Sequence, residues 1–354
     1  MRKMGTGFTV PSRPMPRIIA LATSARGRCC LSPFFRSVAI QFLVRCSIWL
    51  LCALAFAAPP RPRPAEIRIP VWLESPPGRE LSAKDFHATI DGADARILAV
   101  RCPDDDLIIL LVLDLSSGDL TLVDPAKETL VGELRKLPAK TYVGLLRAQD
   151  GLQVLLDPAL DRDAITGAIG LQTLSGKTGL LATVESIESI ADSMLKKSAV
   201  RVAILYVTDG DVRNYREDFT NPVINDSDSH DLSRRFPETL VREKIAKLDA
   251  LLAAQLAPLF IVDLNQHTDR LNEAYHNGLK QLAETTGGAA FFSRSTTEIP
   301  EAVRKSLEVV TSHYSLTLAL PERVPARLQI KLTMPDGDGS LSYRTHVGIV
   351  RRTR

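Results

Sequence analysis

Leu107-Ile-Ile-Leu-Leu-Val-Leu-Asp114-Leu-Ser-Ser-Gly-Asp119 is the stretch whose reading decides the fold. Seven consecutive apolar residues leave no polar face. That is the pattern of a strand buried on both sides at the centre of a parallel sheet. The run ends on a carboxylate, followed by two hydroxyls, a glycine and a second carboxylate. Further apolar runs lie at Tyr142–Leu146, Val200–Val207 and Leu259–Leu264, with a shorter one at Ala289–Phe292. Between them, helical periodicity covers about 124–137, 162–169, 179–197, 238–256, 270–286 and 298–312. Strand alternating with helix predicts an α/β fold, a doubly wound and mostly parallel sheet with helices on both faces. Asp150-Gly151 joins segments 142–149 and 152–156 as a hairpin turn, so one edge strand is predicted to run antiparallel.

Outside this middle the period changes to two. Ile67, Ile69 and Val71 alternate, as do Phe86, Ala88 and Ile90; Asp91-Gly92 is a turn and Ile97–Val100 a further strand. After Tyr314, strands are predicted at Tyr314–Leu320, Leu328–Leu332 and Tyr343–Val350, separated by Pro321, Pro325 and Asp336-Gly337-Asp338-Gly339. The organisation expected is a leader at 1–57, a Pro-rich spacer at 58–65, a β segment at 66–101, the α/β domain at 102–313 and a second β segment at 314–350. Few-stranded sheets are marginal alone, so the two end segments are expected to pack together.

The leader accounts for the charge. Of 44 Lys and Arg, eight lie in residues 1–57, which hold no Asp or Glu, leaving 36 basic against 41 acidic residues in the body. A mildly acidic body without a basic stripe argues against nucleic acid as a partner. Arg36 and Arg45 precede the apolar run Cys46–Ala57, which closes on Ala55-Phe56-Ala57. This is the layout of a secretory signal. Export to the periplasm, the cell envelope or the medium is expected; the alternative is an uncleaved leader acting as a transmembrane anchor, the only membrane contact foreseen. Four of the five cysteines are in the leader, so Cys102 stands alone in the body and is expected to be a buried thiol.

Open parallel sheets bind ligands at the carboxyl ends of their strands. Three segments meet there: Asp114-Leu-Ser116-Ser-Gly118-Asp119, Ser175-Gly-Lys-Thr178-Gly179, and Thr208-Asp209-Gly210-Asp211. In this order they resemble the metal-ion-dependent adhesion site of von Willebrand factor type A domains. The resemblance extends to the bacterial exported VWFA-related family through Leu81-Ser-Ala-Lys-Asp-Phe86, Leu282-Ala-Glu-Thr-Thr-Gly-Gly-Ala-Ala-Phe-Phe292 and Ser312-His-Tyr-Ser-Leu316, over residues 66–350. It implies a divalent metal, Mg²⁺ or Mn²⁺, held by Asp114, Ser116, Thr178 and Asp209. An acidic side chain of a protein partner completes the shell. The family's second serine falls on Gly118, which leaves the site partly degenerate and metal binding weak; Asp119 is a candidate compensating ligand. A hard cation with all-oxygen ligands is chemically consistent with this set.

Other motifs lead nowhere. Gly176-Lys177-Thr178 lacks the glycine spacing of a phosphate loop, so no nucleotide is expected. Asn225–Asp231 lacks the glycine and distal Glu of a calcium loop. No nucleophile–base pair is visible, and the chain is not expected to be an enzyme. The functional expectation is metal-dependent protein binding or adhesion; the alternative is a metal-independent envelope scaffold. The long connection 211–237, with Asp211, Tyr215 and Phe219, is expected to shape the ligand surface, since βα loops usually run about 2–6 residues.

Overall fold

In the computed structural model, residues 65–74, 79–116, 120–172, 176, 178–210, 237–266, 269–321, 323–334 and 340–349 are described. They lie within one compact unit, Pro64–Arg354. The leader, Gly118, Asp119, Asp211, Tyr215, Phe219 and the 225–231 motif fall outside the described residues.

Six strands build the central sheet, in the order β10-β9-β8-β5-β6-β7. They are β5 (Leu107–Asp114), β6 (Thr141–Arg147), β7 (Gln153–Ala159), β8 (Arg201–Thr208), β9 (Leu259–Asp263) and β10 (Ala290–Phe292). All neighbours are parallel except β6 and β7, which pair antiparallel. Their hairpin turns on Asp150 (φ 51°) and Gly151 (φ 109°), the positive angles that an Asp-Gly pair accepts in a two-residue turn. The mostly parallel, doubly wound α/β architecture is therefore the one the apolar runs predict.

Alternation along the strands sorts side chains onto two helical layers. Leu110, Val112, Ile204 and Tyr206 pack with α3 (Leu180–Lys197), α4 (Pro237–Leu252) and α5 (Arg270–Thr286). Ile109, Leu111, Leu205 and Val207 pack with α1 (Leu120–Leu134), α2 (Arg162–Leu171) and α6 (Ile299–Ser312). Helix α1 starts earlier than its pattern predicts: Pro125 lies inside it, and buried Leu122 and Val123 hold the turns before the proline.

Two four-stranded antiparallel sheets use both ends of the chain. One has the order β13-β1-β11-β4 and the other β14-β12-β2-β3. Here β1 is Glu66–Leu73, β2 His87–Ile90, β3 Ala93–Ala95, β4 Ile97–Arg101, β11 Tyr314–Ala319, β12 Arg327–Thr333, β13 Leu341–Tyr343 and β14 His346–Gly348. C-terminal β11 lies between N-terminal β1 and β4, and β12 pairs with β2. The last predicted strand, Tyr343–Val350, is instead two strands in two sheets. The break falls at Arg344, whose guanidinium donates to the carbonyls of Ala253, Gln255 and His346 and turns the chain at a corner. Cys102 is half-buried, its Sγ 3.5 Å from the Leu81 carbonyl oxygen. Among the described residues, no helix is long and apolar enough to cross a membrane.

Candidate metal-binding site

From β5 the chain winds to β6 on one side; from β8 it winds to β9 on the other. The switch point thus lies between β5 and β8, where Asp114 and Thr208 are register partners at the carboxyl ends.

Asp114 is fully buried. Its Oδ1 accepts the Gly179 N–H at 2.7 Å; its Oδ2 accepts the Leu180 N–H at 3.1 Å and the Thr208 hydroxyl at 3.0 Å. Gly179 and Leu180 open α3, so a strand residue caps that helix from 65 positions away. Helix N-termini favour negative charge. Burial nevertheless dominates and pushes the Asp114 carboxyl up to about 7, with nearby Asp209 raising it further.

Asp209 is also buried. Its carboxylate accepts the Ser116 N–H at 2.8 and 3.0 Å and the Ser116 hydroxyl at 2.9 Å. Desolvation again dominates and pushes it up to about 6, with Asp263 contributing repulsion. Thr178 is buried against Gly210: a Cβ on that glycine would sit 2.7 Å from the Thr178 Oγ1. A side chain at 210 would push against Thr178 and Thr208, which is a physical reason for glycine after Asp209. The fold therefore bonds Ser116 to Asp209, sets Thr178 against Gly210 next to Asp209, and leaves Asp209 close enough to Asp114 to repel it.

Two carboxylates and two hydroxyls are hard oxygen donors suited to Mg²⁺ or Mn²⁺. The buried, mutually repelling carboxylates are the observation that fits a cation. Among the described residues, no three His, Cys, Asp or Glu side chains gather as a metal cluster; a hydroxyl-based site does not require one.

Sequence reasoning gave no role to three neighbours. Thr208 donates to Asp114 and accepts the Gly210 N–H at 3.0 Å, linking the two acidic segments. Asp263 and His276 form a buried pair, Oδ2 to Nε2 3.2 Å, out of line for a hydrogen bond. A carboxylate as the last residue of the β9 run was the available signal for Asp263. His276 lies on α5, distant in sequence, and nothing local marked it.

No family model matches the chain, and no curated protein matches it. Solved structures do. A von Willebrand factor type A protein from Catenulispora acidiphila is 12% identical, with 82% of this chain and 75% of that one covered and a TM-score of 0.39. The vWF domain of the type V pili tip protein Mfa5 from Porphyromonas gingivalis is 13% identical, covering 62% and 98%, with a TM-score of 0.39. Proximal thread matrix protein 1 from the mussel byssus, with a zinc-occupied MIDAS motif, is 11% identical, covering 67% and 50%, with a TM-score of 0.39. The fold assignment rests on the strand order and connections of this chain itself.

Proposed function

We propose that this chain is an exported, non-catalytic binding protein. It holds Mg²⁺ or Mn²⁺ at Asp114, Ser116, Thr178 and Asp209 and uses it to engage an acidic side chain of a protein partner. The observation that carries this reading is the convergence of two buried carboxylates, both pushed toward neutrality, with two hydroxyls at the switch point. A divalent ion supplies the charge that lets both ionise. Ser116 and Thr178 contribute neutral oxygens, so the ion stays electrophilic enough to take a further carboxylate. Gly118 supplies no hydroxyl, so affinity for the ion alone is weak and rises when an acidic ligand is present.

Calorimetry with Mg²⁺ and Mn²⁺, with and without a carboxylate peptide, tests it. Asp209→Ala is expected to abolish binding and Gly118→Ser to tighten it. A pull-down from envelope extract is expected to lose the partner in EDTA. Absence of ion binding in the wild type under both conditions sinks the reading.

One observation favours the alternative of a metal-independent scaffold. Asp114 and Asp209 together accept six hydrogen bonds from Gly179, Leu180, Thr208 and Ser116. That network ties β5, α3 and β8 together without any ion, and partner capture indifferent to EDTA would select it.

A further inference from the structure

Glu188 lies on α3, two turns beyond the N–H groups that Asp114 caps. It is fully buried, and neither carboxylate oxygen has a hydrogen-bond partner among the described residues. An unpaired buried carboxylate is costly, and such a group holds its proton. Burial is the main cause raising it well above the ordinary carboxylate range; Asp192, one turn on, adds like-charge repulsion and Arg344 opposes both.

Arg344 is the cation whose charge opposes this rise, yet the hydrogen bonds of its guanidinium go elsewhere. It stands at the corner between β13 and β14, almost fully buried. Nε donates to the His346 carbonyl at 2.7 Å, Nη1 to that of Gln255 at 2.5 Å, and Nη2 to that of Ala253. The Gly348 N–H also bonds the Ala253 carbonyl, at 2.7 Å. The corner is thereby docked on the α4–β9 connection, whose other side is held by the Leu256 N–H on Asp192 Oδ1 at 2.8 Å. Beside Arg344 opens a cleft of about 730 Å³ between α4, α5 and the C-terminal strands, which leaves the corner room to move.

We propose that Glu188 and Arg344 form a proton-gated latch between α3 and the C-terminal β corner. With Glu188 neutral, Arg344 stays on the backbone carbonyls and β14 is docked. When Glu188 ionises, a buried anion faces the guanidinium. A charge-assisted pair between them outcompetes neutral carbonyls, so Arg344 leaves Ala253 and Gln255 and β14 loosens.

The surrounding charges set the direction. From α3 come Asp192 and Lys196, from α4 Asp249, from β12 Arg327, and Tyr206 faces Glu188 from β8. Asp192, Asp249 and Glu188 all attract Arg344, and Asp192 resists a second anion on α3. The latch is therefore closed at low pH and opens as pH rises through the raised native range of Glu188. This device does not depend on a metal at the switch point. It bears on that site only because α3 carries both Glu188 and the N–H groups on Asp114.

The test is hydrogen exchange on the full chain, read at the amides of residues 346–349 after correction for intrinsic rates, across the pH range of stability. In the wild type, protection is expected to fall about tenfold per pH unit once the opening range is entered. Glu188→Gln keeps the neutral shape and should hold protection constant, with its thermal midpoint above that of the wild type at high pH. Asp209→Asn, at the metal site, should leave the wild-type profile in place. Protection that does not change with pH in the wild type, or changes equally in Glu188→Gln, overturns the latch.

Discussion

Asp114 illustrates how one side chain can serve two purposes. It ends the central strand, and it also supplies the negative end that α3 needs at its N-terminus. Asp114→Ala therefore removes a candidate ligand and a helix cap together; lost caps typically cost about 1 kcal/mol. Asp209→Asn is the cleaner probe, because the Asp209 carboxylate holds Ser116 and leaves the α3 cap on Asp114 in place. The raised carboxyls make a pH prediction. Asp114 is raised to about 7 and Asp209 to about 6, against a common unfolded value of 3.8. In that window the native state binds more protons than the unfolded chain, so stability falls as pH rises and levels off above about 7. The loss is on the order of a few kcal/mol. In EDTA, the thermal midpoint should drop from pH 4 to pH 8, and Mg²⁺ should restore most of it only at the upper end. A midpoint unaffected by Mg²⁺ at pH 8 would mean that no ion relieves these carboxylates. Asp209→Asn should flatten part of the slope.

At the scale of elements, the sequence was most legible where one physical rule acted alone. Continuous apolar runs located β5, β6, β8 and β9, because a strand covered on both faces has no polar side to show. Asp150-Gly151 located the antiparallel edge, because two consecutive positive φ angles have few residue solutions. Legibility failed where tertiary contacts override local pattern. The β13–β14 break depends on carbonyls of Ala253 and Gln255, about ninety residues away. The start of α1 depends on core seats for Leu122 and Val123 rather than on Pro125. At the site, the segments with Asp114, Thr178 and Thr208-Asp209 were marked by their place beyond the apolar runs and by their resemblance to the adhesion site, whereas the bond from Thr208 to Asp114 carried no local signal and His276 was hidden as an ordinary helix residue. The entry to α3 is another such tertiary requirement. A Cβ on Gly179 would collide with the Ala148 carbonyl oxygen, which is backbone and cannot swing away. Gly179→Ala should therefore cost about 1–3 kcal/mol and should weaken Mg²⁺ binding by displacing the N–H groups from Asp114. Denaturation and calorimetry on one variant measure both; a stable protein with unchanged ion affinity would mean that the α3 entry is not tied to the site.

Among the described residues the molecule is held by three cores, of which two belong to the α/β middle and one to the paired ends. The end core contains fourteen buried residues, seven from Ile67–Ile90 and seven from Tyr314–Val347. Neither end can close it alone, because β11 lies between β1 and β4 and β2 needs β12. Fully burying one such aliphatic side chain contributes roughly 1.5–3 kcal/mol, so losing seven is comparable with a typical total stability of about 5–15 kcal/mol. The middle is better provided for. Its two cores hold 24 buried residues each. Buried Arg201 fastens its base by donating to the carbonyls of Pro103, Asp105, Thr311 and His313, all within 102–313. The end segments meet the middle at several points: Arg344 on the Ala253 and Gln255 carbonyls, Arg68 on the Ser198 carbonyl at 2.6 Å, and Trp72, which donates to the Val309 carbonyl at 2.8 Å and packs edge-on against Phe260 and beside His313. A chain cut to 102–313 should therefore fold cooperatively with a lower midpoint, and Trp72→Ala in the full chain should reproduce part of that loss, below the roughly 3–5 kcal/mol of a fully buried tryptophan because Trp72 is half-buried. A chain ending at 313 but keeping 66–101 should carry an unfolded N-terminal segment, seen as rapid amide exchange confined to 66–101. Slow exchange there would mean that the N-terminal strands find partners without β11 and β12, contrary to the pairing that joins the two ends.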